Sequence, residues 1–181
     1  MSMHSSQPEP WRVVRSESVV QDAWINLRAD DCVDQHGRTV APYYVLDYAD
    51  WVTVLALTPG GEVVAVEEYH HGAGLVDMGL IGGGVNDGET AAAAAERELR
   101  EETGFTAGRL IDLGWAWANW SNQSSRSHHF LALDCTRTST QQLDDTESIA
   151  VRLMSQEECG QRLRQSYHQL TWLKALPLLR A

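Results

Sequence analysis

Cysteine is scarce in this chain. Its 181 residues hold only Cys32, Cys135 and Cys159, widely spaced and without a C-x-x-C pair. That argues against a disulfide framework or a zinc–thiolate site and suits a reducing, cytoplasmic setting. No stretch approaches 18 consecutive apolar residues, so no membrane-spanning helix is expected. The opening MSMHSSQPEP has no basic region followed by an apolar run, so it does not read as a secretory signal; residues 1–10 read as a loose, disordered tail. Basic residues are also few. Fourteen Lys and Arg stand against 25 Asp and Glu, for a formal net charge of −11. Such a chain is repelled by a nucleic-acid backbone, which makes long DNA or RNA a poor partner. A small phosphate ligand is not excluded, because a divalent cation can bridge clustered carboxylates and phosphate.

What is present suits one globular domain with a small extension. Residues 11–49 read as a strand-rich lead-in, with short extended segments at 11–14, 24–28 and 43–46. A turn falls at Asp34–Arg38, where Gly37 is free to take positive φ. Residues 50–181 form the main domain. The apolar, β-branched run 51–57 and the run 62–67 are expected to form a hairpin around Thr58-Pro59-Gly60-Gly61. The glycine-rich stretch 70–88 reads as irregular backbone. A helix is expected over 90–103, with Gly104 at its C′ position. Strands follow near 110–117, 128–135 and 148–153. Ser155 and Glu158 read as a capping box, and a last short helix starts near Thr171 and is limited by Pro177. Interleaved strands and helices predict a mixed sheet sandwiched by helices.

The helix carries the chemistry. At about 100° per residue, Glu98, Glu101 and Glu102 share an arc of about 100° on one face. Ala92, Ala95 and Leu99 align on another stripe as the buried side. Like charges so crowded destabilise a helix by a few tenths of a kcal/mol per pair. A hard divalent cation such as Mg²⁺, which prefers oxygen ligands, turns that repulsion into attraction. The glutamates alone leave a solvated acidic face equally open. The spacing decides: the stretch fits G-x5-E-x7-R-E-U-x-E-E-x-G-U, U being apolar, at Gly83, Glu89, Arg97, Glu98, Leu99, Glu101, Glu102, Gly104 and Phe105. At average residue usage that match arises by chance on the order of once in a billion starts.

This is the Nudix box, and the sequence resembles the Nudix hydrolase family. The resemblance implies an α/β/α sandwich with a mixed sheet, an α/β (α+β) fold. It implies metal ligands at Glu98 and Glu102, with Glu101 close by and the backbone carbonyl of Gly82. Arg97 and Glu89 resemble the family's ion pair that orients loop and helix, so Arg97 counts among the catalytic candidates in an orienting role. The expected activity is Mg²⁺-dependent hydrolysis of a pyrophosphate bond, with Mn²⁺ as a substitute. Two residues are candidates for the base: Glu101 beside the metal and Glu147 in the loop Asp144–Ile149, with Glu147 favoured.

The N-terminal strands and VVAVEEYHHGAG…GGGVNDGE resemble the ADP-ribose or nucleoside-diphosphate-sugar pyrophosphatase branch. That branch implies a homodimer built through the extension. The chain departs from it where Glu68 and His70 stand in place of arginines, and where Gly79-Leu80-Ile81-Gly82-Gly83 replaces Glu-Leu-Pro-Ala-Gly. Arg126, Trp117 and Glu68 are candidate substrate contacts: Arg126 for a phosphate, Trp117 for a stacked base. The plainer reading puts Trp115 and Trp117 in the core. His70, His71, His128 and His129 read as packing or surface residues. The expected substrate is a nucleoside diphosphate linked to another moiety, of nucleoside-diphosphate-sugar or ADP-ribose type. Dinucleoside polyphosphates and nucleoside triphosphates are the alternative within the enzyme class. A nucleotide-sensing module without turnover is the alternative outside it.

Overall fold

A computed structural model describes residues 7–179. Part of the expected tail, residues 1–6, therefore lies outside the described residues. By its contacts the chain divides into two units: residues up to 48 together with 117–125, and residues 49–116 together with 126 onward.

The first unit is an antiparallel sheet of β1 (Arg12–Gln21), β2 (Asn26–Val33) and β3 (Thr39–Leu46), in that order. β2 starts two residues later than the sequence suggests. Asp22 Oδ1 accepts from the Trp24 and Ile25 amides and holds them in a bend. Between β2 and β3, Asp34 Oδ1 accepts from the amides of His36 and Arg38, and Gly37 takes φ 77° as expected. Segment 117–125 joins this unit through Leu46 N–H to the Asn122 carbonyl (2.8 Å) and Ser124 N–H to the Leu46 carbonyl (3.1 Å). β1 is an end strand, exposed along its whole length.

The second unit is built on β4 (Trp51–Leu57), β5 (Val63–His70), β6 (Leu75–Gly79), β7 (Ile81–Gly84), β9 (Arg109–Trp117), β10 (Arg126–Leu133) and β12 (Ala150–Met154). The sheet order is β12-β5-β4-β10-β9, with β6 paired to β5 and β7 to β4. β4 and β10 run parallel, while β4–β5, β4–β7, β5–β6 and β5–β12 are antiparallel, so the sheet is mixed. A small pair, β8 (Phe105–Thr106) with β11 (Thr136–Arg137), stands apart. The helices are α1 (Ala91–Thr103), α2 (Gln156–Arg162) and α3 (Ser166–Leu179). Among the described residues no helix is long and apolar enough to cross a membrane.

Alternation along β4 makes two cores. Val52, Val54 and Ala56 pack with Val64, Val66 and Ile81 against Ala94, Ala95 and Leu99 of α1. Leu55 and Leu57 pack with Val63 and Ala65 against Cys159 of α2, Leu163 and Ala175 of α3. The sheet is thus sandwiched between α1 and the α2–α3 pair, as expected. The β4–β5 hairpin, the Gly104 terminus in the left-handed region (φ 76°) and the Ser155 cap accepting from Glu158 N–H are all present.

Four local expectations are corrected. Residues 75–79 and 81–84 are strands, because tertiary pairing overrides the low strand propensity of glycine. Ala92 is exposed; Ala94 joins Ala95 and Leu99 on the buried side. Trp115 and Trp117 are about half exposed, not core residues. α3 begins at Ser166, where Gln165 Oε1 accepts from Tyr167 N–H, and it runs through Pro177, which removes only one hydrogen bond of the last turn.

Candidate active site

α1 is set at both ends. Thr90 Oγ1 accepts from Ala93 N–H at its start, and Gly104 N–H reaches the Arg100 carbonyl at its end. Leu99 turns into the core, and this rotation places Glu98 and Glu102 over β7. The fit is close: a β-carbon at Gly83 would lie 1.9 Å from Glu98 Oε1, so a side chain there and the Glu98 carboxylate exclude one another. The Gly82 N–H lies close enough to the Glu102 carboxylate to favour its charged form. Glu102 is 6 % exposed, and its Oε2 has no hydrogen-bond partner among the described residues.

Arg97 binds the helix to the loop that precedes it. Its Nε and Nη2 donate to Glu89 Oε1 (2.9 Å) and Oε2 (3.0 Å), and Nη2 also donates to the Gly84 carbonyl (2.8 Å). Nη1 donates to Glu98 Oε1 (2.7 Å) and Glu101 Oε2 (3.1 Å). Glu89 Oε2 in turn accepts from Asn86 N–H. The Glu89 carboxylate beside Arg97 therefore titrates below its usual range, and the Arg97 guanidinium above its own.

Burial pushes the Glu98 carboxyl up, with Arg97 opposing and Glu101 and Glu147 adding repulsion. Glu102 is pushed well up, first by burial and then by Glu98 and Glu68; the Gly82 N–H opposes. Glu68, on β5, is raised by burial and by Glu147. Glu68 and Glu147 thus come within electrostatic reach of the helix glutamates, although they lie far away in sequence. Glu147 is exposed, and its Oε2 accepts from Asp144 N–H. Its loop is anchored by Gln141, whose Nε2 donates to the Glu102 carbonyl (2.6 Å) and the Ile149 carbonyl (3.0 Å). Sequence reasoning missed Gln141, and no local pattern marks it.

Asp50 is a second residue the sequence did not single out. Its carbonyl accepts from Val85 N–H (2.8 Å), at the start of the Arg97-bound loop. Its carboxylate accepts from Arg126 N–H (2.8 Å) and pairs with His128 Nε2 (2.9 Å). Burial raises its pKa, but these partners outweigh burial and leave it below the usual range. Arg126 lies over the Trp115 ring at 5.1 Å. Trp117 belongs to the first unit, where it lines a cavity of about 290 Å³ with Arg28, Val45, Trp120, Gln123 and Ser124.

The residues fit a hard divalent cation. Their donors are carboxylate oxygens, one of them buried with an open Oε2, beside the glycine backbone of β7 that Glu98 approaches closely. Among the described residues no three His, Cys, Asp or Glu side chains already converge as ligands. Glu98 and Glu101 lean on Arg97 instead.

The chain is similar to known proteins over most of its length. Residues 47–176 match the family described as NUDIX domain, and residues 11–46 match the nucleoside diphosphate sugar hydrolase N-terminal domain. An ADP-ribose pyrophosphatase of Bacillus subtilis is 24 % identical over 148 residues, which is 81 % of this chain and 80 % of that protein. A Caenorhabditis elegans protein provisionally named nudix hydrolase 2 is 32 % identical over 165 residues, 81 % of this chain and 73 % of its own length. The crystal structure of an ADP compounds hydrolase superposes with a TM-score of 0.86 at 19 % identity, covering 97 % of both chains. Nudix enzymes act on small nucleotides and generally use divalent metal ions. The chain belongs to the Nudix hydrolase family and is a hydrolase of pyrophosphate bonds.

Proposed function

We propose that this enzyme cuts the pyrophosphate bond of a nucleoside diphosphate joined to a second moiety, of ADP-ribose or nucleoside-diphosphate-sugar type, with Mg²⁺ as its cation and Mn²⁺ as a substitute. One observation carries the reading: Glu102, buried beside Gly82, keeps Oε2 open within electrostatic reach of Glu98. Glu98, Glu102, Glu101 and the Gly82 carbonyl are the proposed cation-holding groups. The bound cation supplies charge neutralisation to the diphosphate oxygens and acidifies water.

The chain's own residues do the rest. Arg97 fixes loop and helix so that Glu98 stays over Gly83. A water oxygen forms a new bond to one phosphorus while the bridging P–O bond breaks. The proton goes to a carboxylate, Glu147 in preference to Glu101, because Glu147 sits on a loop free of Arg97 while Glu101 accepts from it. The products are a nucleoside monophosphate and a phosphorylated remainder. Arg126, aligned by Asp50 and Trp115, serves a phosphate or the second moiety, and Glu68 contacts substrate. The named relatives acting on ADP compounds support this class over triphosphates. A homodimer through the N-terminal sheet accords with the exposed β1, and a cytoplasmic setting with three buried free thiols.

The test is product analysis on a panel of ADP-ribose, nucleoside-diphosphate sugars, dinucleoside polyphosphates and nucleoside triphosphates, with and without Mg²⁺. Nucleoside monophosphate formed from the first two classes, and only with the cation, is expected. Turnover confined to triphosphates overturns the substrate class.

A further inference from the structure

On the sheet face turned away from α1, three buried polar atoms have no hydrogen-bond partner among the described residues: Thr53 Oγ1, Ser127 Oγ and His129 Nε2. Their residues are 0, 1 and 0 % exposed. They are neighbours. In the parallel β4–β10 pair, His129 stands opposite Thr53 and Ser127 opposite Trp51, so Ser127 and His129 share the face of Thr53 and Leu55. α3 covers them, with Thr171 Oγ1 2.7 Å from His129 Nδ1.

The protons on this face can be placed. The Thr171 hydroxyl has one proton and donates it to the Tyr167 carbonyl at 2.9 Å. Toward His129 it must therefore accept, which requires Nδ1–H. Burial, aided by Lys174 and His128, lowers the imidazole to about 4, so at neutral pH the ring carries one proton only. Nε2 is left as a bare acceptor. A buried group of this kind without a partner destabilises the fold, and here there are three.

We propose that one ordered water molecule binds between β4, β10 and α3, donating to His129 Nε2 and bridging Thr53 Oγ1 and Ser127 Oγ. Three protein partners is the usual number for a buried water. Its second proton goes to one hydroxyl oxygen, and its lone pair accepts from the other. A cation does not suit the place, since the Lys174 charge already acts on His129. An apolar ligand would leave all three atoms unsatisfied. The position matters because Thr53 also stands opposite Gly82 in the β4–β7 pair. The water thus lies against β4 where that strand pairs with the glycine beside Glu102.

Imidazole ¹⁵N NMR of the full chain at neutral pH, with a high-resolution crystal structure, tests this. The expected result is a protonated Nδ1, an unprotonated Nε2, and a water within hydrogen-bond distance of all three atoms. Thr53→Val is expected to shift the Nε2 resonance and leave Nδ1 protonated; if that variant does not fold, Ser127→Ala gives the same reading. A proton on Nε2, or a direct hydroxyl–Nε2 hydrogen bond with no water, overturns the proposal.

Discussion

Gly83 and Glu98 compete for one volume: the β-carbon that any other residue would place at 83 falls 1.9 Å from Glu98 Oε1. The glycine is not at positive φ, so the constraint is the space the carboxylate needs and not backbone freedom. Gly83→Ala must therefore push Glu98 aside. A misplacement of about 1 Å costs roughly a hundredfold in rate. We expect kcat to fall by about that factor while circular dichroism stays unchanged. Wild-type turnover in Gly83→Ala would show that Glu98 need not sit there.

Glu102 is a stability liability in the cation-free protein. A buried carboxylate with an open oxygen, facing Glu98 and Glu68, is costly to keep charged. Glu102→Gln removes the charge and keeps the shape. Denaturant melts with chelator present should find it more stable than wild type by roughly 1–3 kcal/mol. Its turnover should drop on the order of a thousandfold. A variant less stable than wild type under chelation contradicts this account of the site's electrostatics.

Arg97→Lys keeps a positive charge but loses the fork that grips Glu89 twice while also reaching the Gly84 carbonyl. The loop 85–89 should loosen from α1. Hydrogen exchange is expected to rise at Val85 to Glu89, with kcat down about tenfold to a hundredfold. Unchanged protection in that loop would mean that Asp50, through Val85 N–H, suffices to hold it.

His129 sets a pH dependence of stability. Buried, it titrates near 4 in the folded protein against a usual value of 6.5. Between those values the unfolded chain takes up a proton that the native state refuses. Stability is then full above about pH 6.5, falls as pH drops toward 4, and this contribution levels off below. The slope is about 1.4 kcal/mol per pH unit, for a total of about 3 kcal/mol. His168, partly buried and near 4, acts in the same direction. Chemical denaturation of wild type and His129→Gln across pH 4–7 checks it: the variant's slope should be shallower by one proton.

Much of α1 was legible because its signals are local. Alanine propensity, the glycine stop and the glutamate spacing all act within one helix. The Ser155 cap and the β4–β5 turn were readable for the same reason. The strands β6 and β7 were not, since their glycines are dictated from other elements: His168 presses on Gly79 in β6, and the Val52 carbonyl and Glu98 press on Gly82 and Gly83 in β7. Glu68 and Glu147 joined the glutamates of α1 only through the fold, and Gln141 and Asp50 act through hydrogen bonds to residues far off in sequence. Trp115 was misread because alternation alone does not tell which strand face is covered; its ring carries Arg126 instead.

β1 presents Val13, Val14, Val19 and Val20 to solvent along an end strand. An apolar edge of this kind is a pairing hazard unless it is covered. A homodimer is expected in light scattering at micromolar concentration, and Val14→Glu with Val19→Glu should shift it to monomer. A monomeric wild type defeats the proposal.

The most direct test is titration calorimetry with Mg²⁺ or Mn²⁺ on wild type, Glu98→Gln and Glu102→Gln, each alone and with a non-hydrolysable nucleoside diphosphate analogue. Saturable cation uptake by the wild type, lost in both variants, is the predicted result. Equal uptake by all three proteins, or none in any, would contradict the assignment of these carboxylates to a cation.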